Sequence, residues 1–288
     1  MTSNYKNQNW DLIIKESNSL FEINFQEVWR YRDLLFLFVK RDFVSFYKQT
    51  ILGPIWFFIQ PVFTMLMYVF VFGKLAGIST DGLPMPLFYL TGITAWNYFS
   101  DCLTKTSTVF KDNVGIFSKV YFPRLIMPLS IIVSNLIRFG IQFLLVLVVM
   151  IYLYNYPIIG SSFYITNCIA ILPLLIVIMA FLGLGLGLII TAITTKYKDL
   201  TFLITFGVQL LMYATTIIYP LSAAPLKYKY IIELNPMTGV IEAFRYSLLG
   251  KGTFSAWTLG YSVLVTIFIF FIGLLLFNKT EKNFVDTI

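Results

Sequence analysis

Six windows of this chain stay apolar over the length of a membrane crossing: Pro54 to Gly73, Leu87 to Thr104, Leu125 to Tyr154, Phe163 to Thr194, Leu200 to Tyr219 and Ala256 to Phe277. A helix needs about 20 such residues to traverse hydrocarbon, where every backbone N–H and C=O must be satisfied within the protein. The windows therefore predict an all-α integral membrane protein with six transmembrane helices. The third and fourth are longer than required, so tilt or protrusion is expected, and Pro128 and Pro173 are placed to start or kink them. Only 12% of residues are charged, about half the share found in soluble domains.

The basic residues set the orientation. With the amino terminus in the cytoplasm, fifteen Lys and Arg fall in cytoplasmic segments and five in external loops. The positive-inside rule then predicts both termini in the cytoplasm. The same scatter of basic residues among apolar runs accounts for the formal charge of +7 without nucleic acid. The start of the chain lacks the charged-then-apolar pattern of a cleaved signal peptide, so insertion by its own spans is expected. Residues 1–28 form an amino-terminal extension too short to build a core. Residues 29–50 read as an amphipathic helix in the membrane plane, with Arg30, Asp33, Lys40, Arg41 and Lys48 on one face, although Arg32 and Asp42 depart from it.

Several chemistries are excluded by residue type. The chain has no histidine, which removes Ser-His-Asp and Cys-His sites, His-ligated zinc and imidazole relays. Cys102 and Cys168 stand 66 positions apart in apolar segments and read as free thiols. Gly183, Gly185 and Gly187 lie inside an apolar run with no GxxxxGK[ST] pattern, so they are not a phosphate loop, and Gly183 and Gly187 read instead as a small-residue helix-packing face. No nucleotide site is recognisable, and any ATP and magnesium must be handled by another subunit.

Four regions hold candidate functional or paired polar residues. Arg138 sits inside the third window, where a charge costs about 3 kcal/mol on insertion scales. It reads either as half of a structural polar pair or as a contact for an anionic substrate. Asp101 and Lys105, four residues apart, are spaced to pair on one helix. The loop 111–124 mixes exposed apolar residues with charge, as a docking helix for a partner would, or as a loop resting on headgroups. The segment Asn235 to Gly250 carries full helix punctuation: Asn235 as N-cap, Pro236 at the first helical position, and Gly250 as the left-handed stop. Met237, Val240, Ile241, Phe244 and Leu248 fall on one face of it, with Glu242 and Arg245 on the other. It reads as part of a transport path or as a loop helix lying on lipid headgroups. Aromatic residues make up 18% of the chain, and the Tyr and Trp among them suit sliding contact with sugar rings.

In combination, three stretches resemble the permease subunit of type-2 ABC exporters, in the branch that exports O-antigen, teichoic acid and similar polysaccharides. They are Arg41 to Trp56 followed by Gln60-Pro61, Tyr121 to Leu129, and Lys196 to Leu200 together with the Asn235 to Gly250 helix. The resemblance runs from about Trp29 to the carboxy terminus. It implies a homodimer bound to two ABC ATPase subunits in a bacterial inner membrane, moving an undecaprenyl-diphosphate-linked glycan outward. It also implies that the interface helix (Arg41, Lys48) and the 111–124 loop (Phe117, Tyr121, Arg124) receive the ATPase stroke. Residues 220–250 would form an external re-entrant helix pair, with Asn235, Pro236, Glu242 and Arg245 as its candidates. A type-2 permease for a drug or simpler lipid shares this fold. A membrane-embedded glycosyltransferase or acyltransferase would need paired carboxylates or a histidine at a membrane face.

Overall fold

The computed structural model describes residues 25–48, 51–117, 119–158, 161–164, 166–197 and 199–285. The first 24 residues of the expected extension, with Gln49, Thr50, Ser118 and Lys198 of the quoted segments, lie outside the described residues. Every regular element among the described residues is helical: α1 (Phe25–Arg30), α2 (Arg32–Tyr47), α3 (Trp56–Tyr68), α4 (Met85–Ser107), α5 (Val109–Asp112), α6 (Val114–Phe117), α7 (Ile126–Asn155), α8 (Leu172–Thr194), α9 (Leu200–Tyr213), α10 (Leu226–Glu233), α11 (Pro236–Leu249) and α12 (Ala256–Val285).

Among the described residues, four rods are long and apolar enough to cross a membrane: Gly53–Leu75, Ile126–Asn155, Cys168–Thr194 and Ala256–Thr280. The first joins a 3-10 turn at Gly53–Ile55, α3, and a π-helical stretch at Val69–Leu75. Gly53 turns the chain into it at φ +51°, a conformation that strains an L side chain. Pro128 and Pro173 both sit in the first turn of their helices, where no N–H is needed, so they start α7 and α8 rather than kink them.

α4 is long enough to cross but more polar than the four rods, and its position explains why that is tolerated. It packs against α3, α7, α8, α9 and α11, so most of its surface meets protein rather than lipid. Its hydroxyls fold back onto its own backbone: Thr91 Oγ1 donates to the Leu87 carbonyl at 2.7 Å and Thr104 Oγ1 to that of Ser100 at 2.7 Å.

The glycines of α8 divide their work between two neighbours. A Cβ at Gly183 would lie 2.9 Å from the Phe99 carbonyl oxygen, and one at Gly187 would lie 2.6 Å from Thr106 Cβ, both on α4. A Cβ at Gly185 would meet Phe270 Cα of α12 at 2.8 Å. The small-residue face is thus a pair of contact faces, four residues apart for α4 and between them for α12. The close approach lets Thr191 Oγ1 donate to the Thr106 carbonyl and Thr194 Oγ1 to that of Ser107 at 2.6 Å, tying the two helices with hydrogen bonds.

Three boundaries differ from the sequence reading. The fourth window was expected from Phe163, but helix begins at the 3-10 turn Asn167–Ile171. The preceding strand of chain is held by the Tyr164 N–H to the Leu249 carbonyl at 3.2 Å, a tertiary bond invisible to hydropathy. The fifth was expected to reach Tyr219, yet α9 ends at Tyr213 and spans only about 21 Å. The interface helix divides at Tyr31 into α1 and α2. Its expected amphipathic pattern is also imperfect: Phe36 and Leu37 are exposed, while Phe38 and Val39 are buried.

Candidate functional site

α11 forms where its punctuation predicts. The Asn235 side chain accepts from the Met237 N–H at 3.0 Å, Pro236 occupies the first turn, and Gly250 closes the helix at φ +68°. Its surroundings are not those of a helix resting on lipid headgroups, one of the two readings of this segment. Glu242 and Arg245, placed by periodicity opposite the apolar face, are 2% and 1% exposed, so the helix is buried nearly all round.

The reason is a second helix break facing it. Where α9 stops, a last turn bond runs from the Thr215 N–H to the Met212 carbonyl at 3.2 Å, and Thr215, Thr216, Ile217 and Ile218 continue buried outside the helix. Their carbonyls need donors, because an unsatisfied buried carbonyl costs about 1–3 kcal/mol. Arg245 supplies two of them. Its Nη1 donates to the Thr216 carbonyl and its Nη2 to that of Ile217 at 3.0 Å. Nη1 also donates to Glu242 Oε1 at 3.3 Å, so the carboxylate balances the buried cation. The guanidinium lies 3.7 Å over the Phe88 ring of α4, which compensates for Nε, the nitrogen that has no hydrogen bond. Glu242 Oε2 in turn accepts from the Thr253 N–H at 3.1 Å, fixing the turn that leads to α12.

Gly92 makes room for this arrangement. A Cβ there would stand 2.7 Å from Arg245 Nη2 and 3.3 Å from Ile217 Cγ2. One guanidinium therefore joins α4, the end of α9, α11 and the approach to α12. Phe88, Gly92, Thr216, Ile217 and Thr253 were not among the expected site residues. The available signals were a lone glycine within an apolar helix and a Thr-Thr pair inside a window otherwise fit to span.

A second site lies at the other end of α4, about 27 Å from Phe88 along the helix axis. There Phe117 and Phe122 stack at 5.6 Å, Phe110 meets Phe117 at 5.6 Å and Phe277 of α12 at 4.9 Å, and Phe38 of α2 meets Phe122 at 5.6 Å. Arg124 lies over both Phe110 and Phe117, and Arg41 lies over Phe38 while bonded to Asp42 at 2.7 Å. Of the expected coupling residues, the structure joins Arg41, Phe117 and Arg124 through this aromatic cluster. Tyr121 instead points outward at 64% exposure, and Lys48 is exposed just beyond the end of α2. Phe38, Phe110 and Phe122 were missed because aromatic residues pervade the chain and only the fold selects these.

Arg138 lies beside α2 rather than alone in the core of the bundle. Its Nη1 is 3.8 Å from Asp101 Oδ2, and its guanidinium is 5.5 Å from the Phe57 ring. Asp101 also faces Lys105 at 3.5 Å, the expected pair along α4. Lys105 donates at 2.8 Å to Asn135 Oδ1. Cys102 is buried and Cys168 half-buried, both as free thiols.

The sequence matches a known family over residues 33–249, described as the ABC-2 type transporter. The O-antigen export system permease protein RfbA of Klebsiella pneumoniae is 26% identical over 255 residues, covering 88% of this chain and 94% of that protein. Its namesake from Myxococcus xanthus is 27% identical over 223 residues, covering 76% and 82%. The polysialic acid transport protein KpsM of Escherichia coli is 25% identical over 236 residues, covering 80% and 87%. With three quarters of its length matched and its helices long enough for several crossings, the chain belongs to the ABC-2 type transporter family, its matched region being a multi-pass membrane permease that has no nucleotide-binding domain of its own.

Proposed function

We propose that this chain is the channel-forming subunit of an ATP-driven exporter that carries a lipid-linked polysaccharide, of the O-antigen or teichoic acid kind, out of the cytoplasm. The carrier lipid is undecaprenyl diphosphate, the membrane is the bacterial inner membrane, and both termini are cytoplasmic. Two copies of the chain form the channel and two ABC ATPase subunits drive it, binding the ATP and magnesium.

The observation that carries this reading is the buried clamp of Arg245 on the broken α9 end. Helices of 8 and 14 residues joined at Asn235 cannot each cross about 30 Å of hydrocarbon, so α10 and α11 enter and leave on one side. Irregular backbone at membrane depth is tolerated only against protein or a water-filled cavity. A transport path beside α9 meets that need. α9 buries only Val208 and exposes Phe202, Leu203, Phe206, Leu210 and Tyr213, an apolar and aromatic wall for a second copy or a passing glycan. The relatives named for O-antigen and polysialic acid supply the substrate class. Counting α4, and α9 continued by the buried segment that follows it, with the four long rods gives the six spans, with 220–250 as the external hairpin.

The aromatic cluster of Phe38, Phe110, Phe117 and Phe122 transmits the ATPase stroke. It joins α2, the 109–124 segment and α12 into one body, so force applied at Tyr121 or Lys48 reaches the bundle. Deleting the gene tests the whole reading. Lipid-linked glycan should accumulate in the cytoplasm and surface glycan should vanish, both restored by the intact chain. Normal surface glycan in the deletion strain, with loss of a drug-resistance or simple-lipid phenotype instead, would move the substrate to another class.

A further inference from the structure

A small cleft lies between α10, α11 and the start of α12, lined by Glu233, Thr238, Glu242, Thr253, Ser255 and Thr258. Its volume is about 70 Å³. A water-sized group takes about 10–15 Å³, so the cleft admits roughly five non-hydrogen atoms. Thr253 and Ser255 are exposed, whereas Thr238 and Glu242 are buried. On the orientation proposed above, the cleft belongs to the external hairpin.

Two groups in it are unmatched. Thr238 is 1% exposed, yet its hydroxyl has no hydrogen-bond partner. Buried hydroxyls are seldom left so, and with no protein acceptor in reach, the acceptor has to come from the space that Thr238 lines. Glu233 ends α10, and among the described residues its carboxylate takes part in no hydrogen bond or ion pair, although Lys229 stands one turn before it. Glu242 differs. Arg245 balances its charge, and Thr253 donates to Oε2 from its N–H at 3.1 Å and its Oγ1 at 3.3 Å. A carboxylate offers about four lone-pair positions, so Glu233 has all of them open and Glu242 keeps roughly one.

The ligand that completes this set has to accept from Thr238 and donate to carboxylates. A metal cation takes no proton from a hydroxyl and so leaves Thr238 unmatched, while an anion meets the unpaired charge of Glu233. Hydroxyl groups do both, and several of them on one frame make a sugar. A hydroxymethyl arm with the neighbouring ring carbon and hydroxyl-bearing carbon fills the roughly five positions available, the rest of the ring staying outside. We propose that this cleft binds one edge of a neutral sugar residue, Thr238 donating to a sugar oxygen while Glu233 and Glu242 accept from its hydroxyls. The inference rests on the export reading for the source of the sugar and narrows it, since the residue held here carries neither carboxylate nor phosphate.

The test uses the full chain purified in a sugar-free detergent and titrated with methyl glycosides of glucose, galactose and mannose, binding being followed by saturation-transfer NMR. Each hexoside is compared with its uronic acid counterpart, which puts a carboxylate in place of the hydroxymethyl arm, and with its pentose counterpart, which lacks the arm. At least one hexoside should bind with a millimolar dissociation constant, about tenfold more tightly than both counterparts. Thr238→Val should weaken that binding about tenfold, the scale of one buried hydrogen bond, while Thr238→Ser retains most of it. Glu233→Gln should remove most of the discrimination against the uronic acid, a charge effect that a packing role for Glu233 does not produce. No hexoside binding below about 100 mM, equal binding of hexoside and uronic acid by the intact chain, or unchanged binding in Thr238→Val would overturn the proposal. Thermal stabilisation by calcium chloride in place of hexoside binding would overturn it too. All of these leave the export reading standing, since that is judged by surface glycan in cells; hexoside binding by a chain whose deletion leaves surface glycan normal would keep the cleft and remove the export reading.

Discussion

Arg245→Met separates a structural clamp from an incidental buried charge. The substitution keeps an unbranched apolar stem but removes the donors for the Thr216 and Ile217 carbonyls. Each stranded carbonyl costs about 1–3 kcal/mol, and breaking a buried ion pair by removing one member costs about 3–5 kcal/mol. These terms overlap, so the expected loss is about 5 kcal/mol. Glu242→Gln should cost less, about 2 kcal/mol, because an amide oxygen still accepts from the Thr253 N–H and Arg245 keeps both carbonyls. In the double variant no carboxylate is stranded, so its loss should fall about 3 kcal/mol short of the sum of the single losses. Unfolding of the purified chain in mild detergent, followed by tryptophan fluorescence, measures these differences. Hydrogen exchange localises them, since the amides of residues 214–219 should exchange faster in Arg245→Met while those of α8 should not. Additive losses in the double variant, or unchanged exchange at 214–219, would refute the clamp.

The other predictions follow from single contacts. Arg245→Ala should abolish surface glycan while membrane insertion and dimerisation persist, read by immunoblot and crosslinking. Tyr121→Glu should leave the protein folded but uncouple ATP hydrolysis by the assembled exporter from export, because its side chain is exposed; Phe117→Glu should also lower the melting temperature by entering the aromatic cluster. Gly187→Leu should cost about 1–3 kcal/mol or more by forcing α8 from Thr106, whereas a leucine at Gly207, which has open space around it, should be nearly neutral. A cysteine replacing Asn235 should be labelled by water-soluble thiol reagents from outside the cell, and less readily when glycan occupies the exporter. Labelling only from the cytoplasm would reverse the proposed orientation.

The sequence alone determined the features whose causes are local. Helical rods at windows one, three and six follow from runs of apolar side chains, because a helix satisfies its own backbone in hydrocarbon wherever the chain goes. The caps of α11 were legible because Asn235, Pro236 and Gly250 act within one turn of backbone. Gly183 and Gly187 were legible as a contact face because helical periodicity places them together.

Only the tertiary structure decided where charge and irregular backbone settle. Helical periodicity put Glu242 and Arg245 on a polar face, but whether that face meets water depends on carbonyls 28 and 29 residues earlier. Hydropathy carried the fifth window to Tyr219, since Ala214 to Tyr219 is apolar enough; the break is stabilised by Arg245 and by the space left at Gly92, neither of which is near in sequence. Likewise Arg138 reads as a charge within a span until α2 and Asp101 are brought beside it. Local patterns reveal which segments avoid water, whereas the free energy of a buried charge is set by partners that the fold alone brings within a few ångströms.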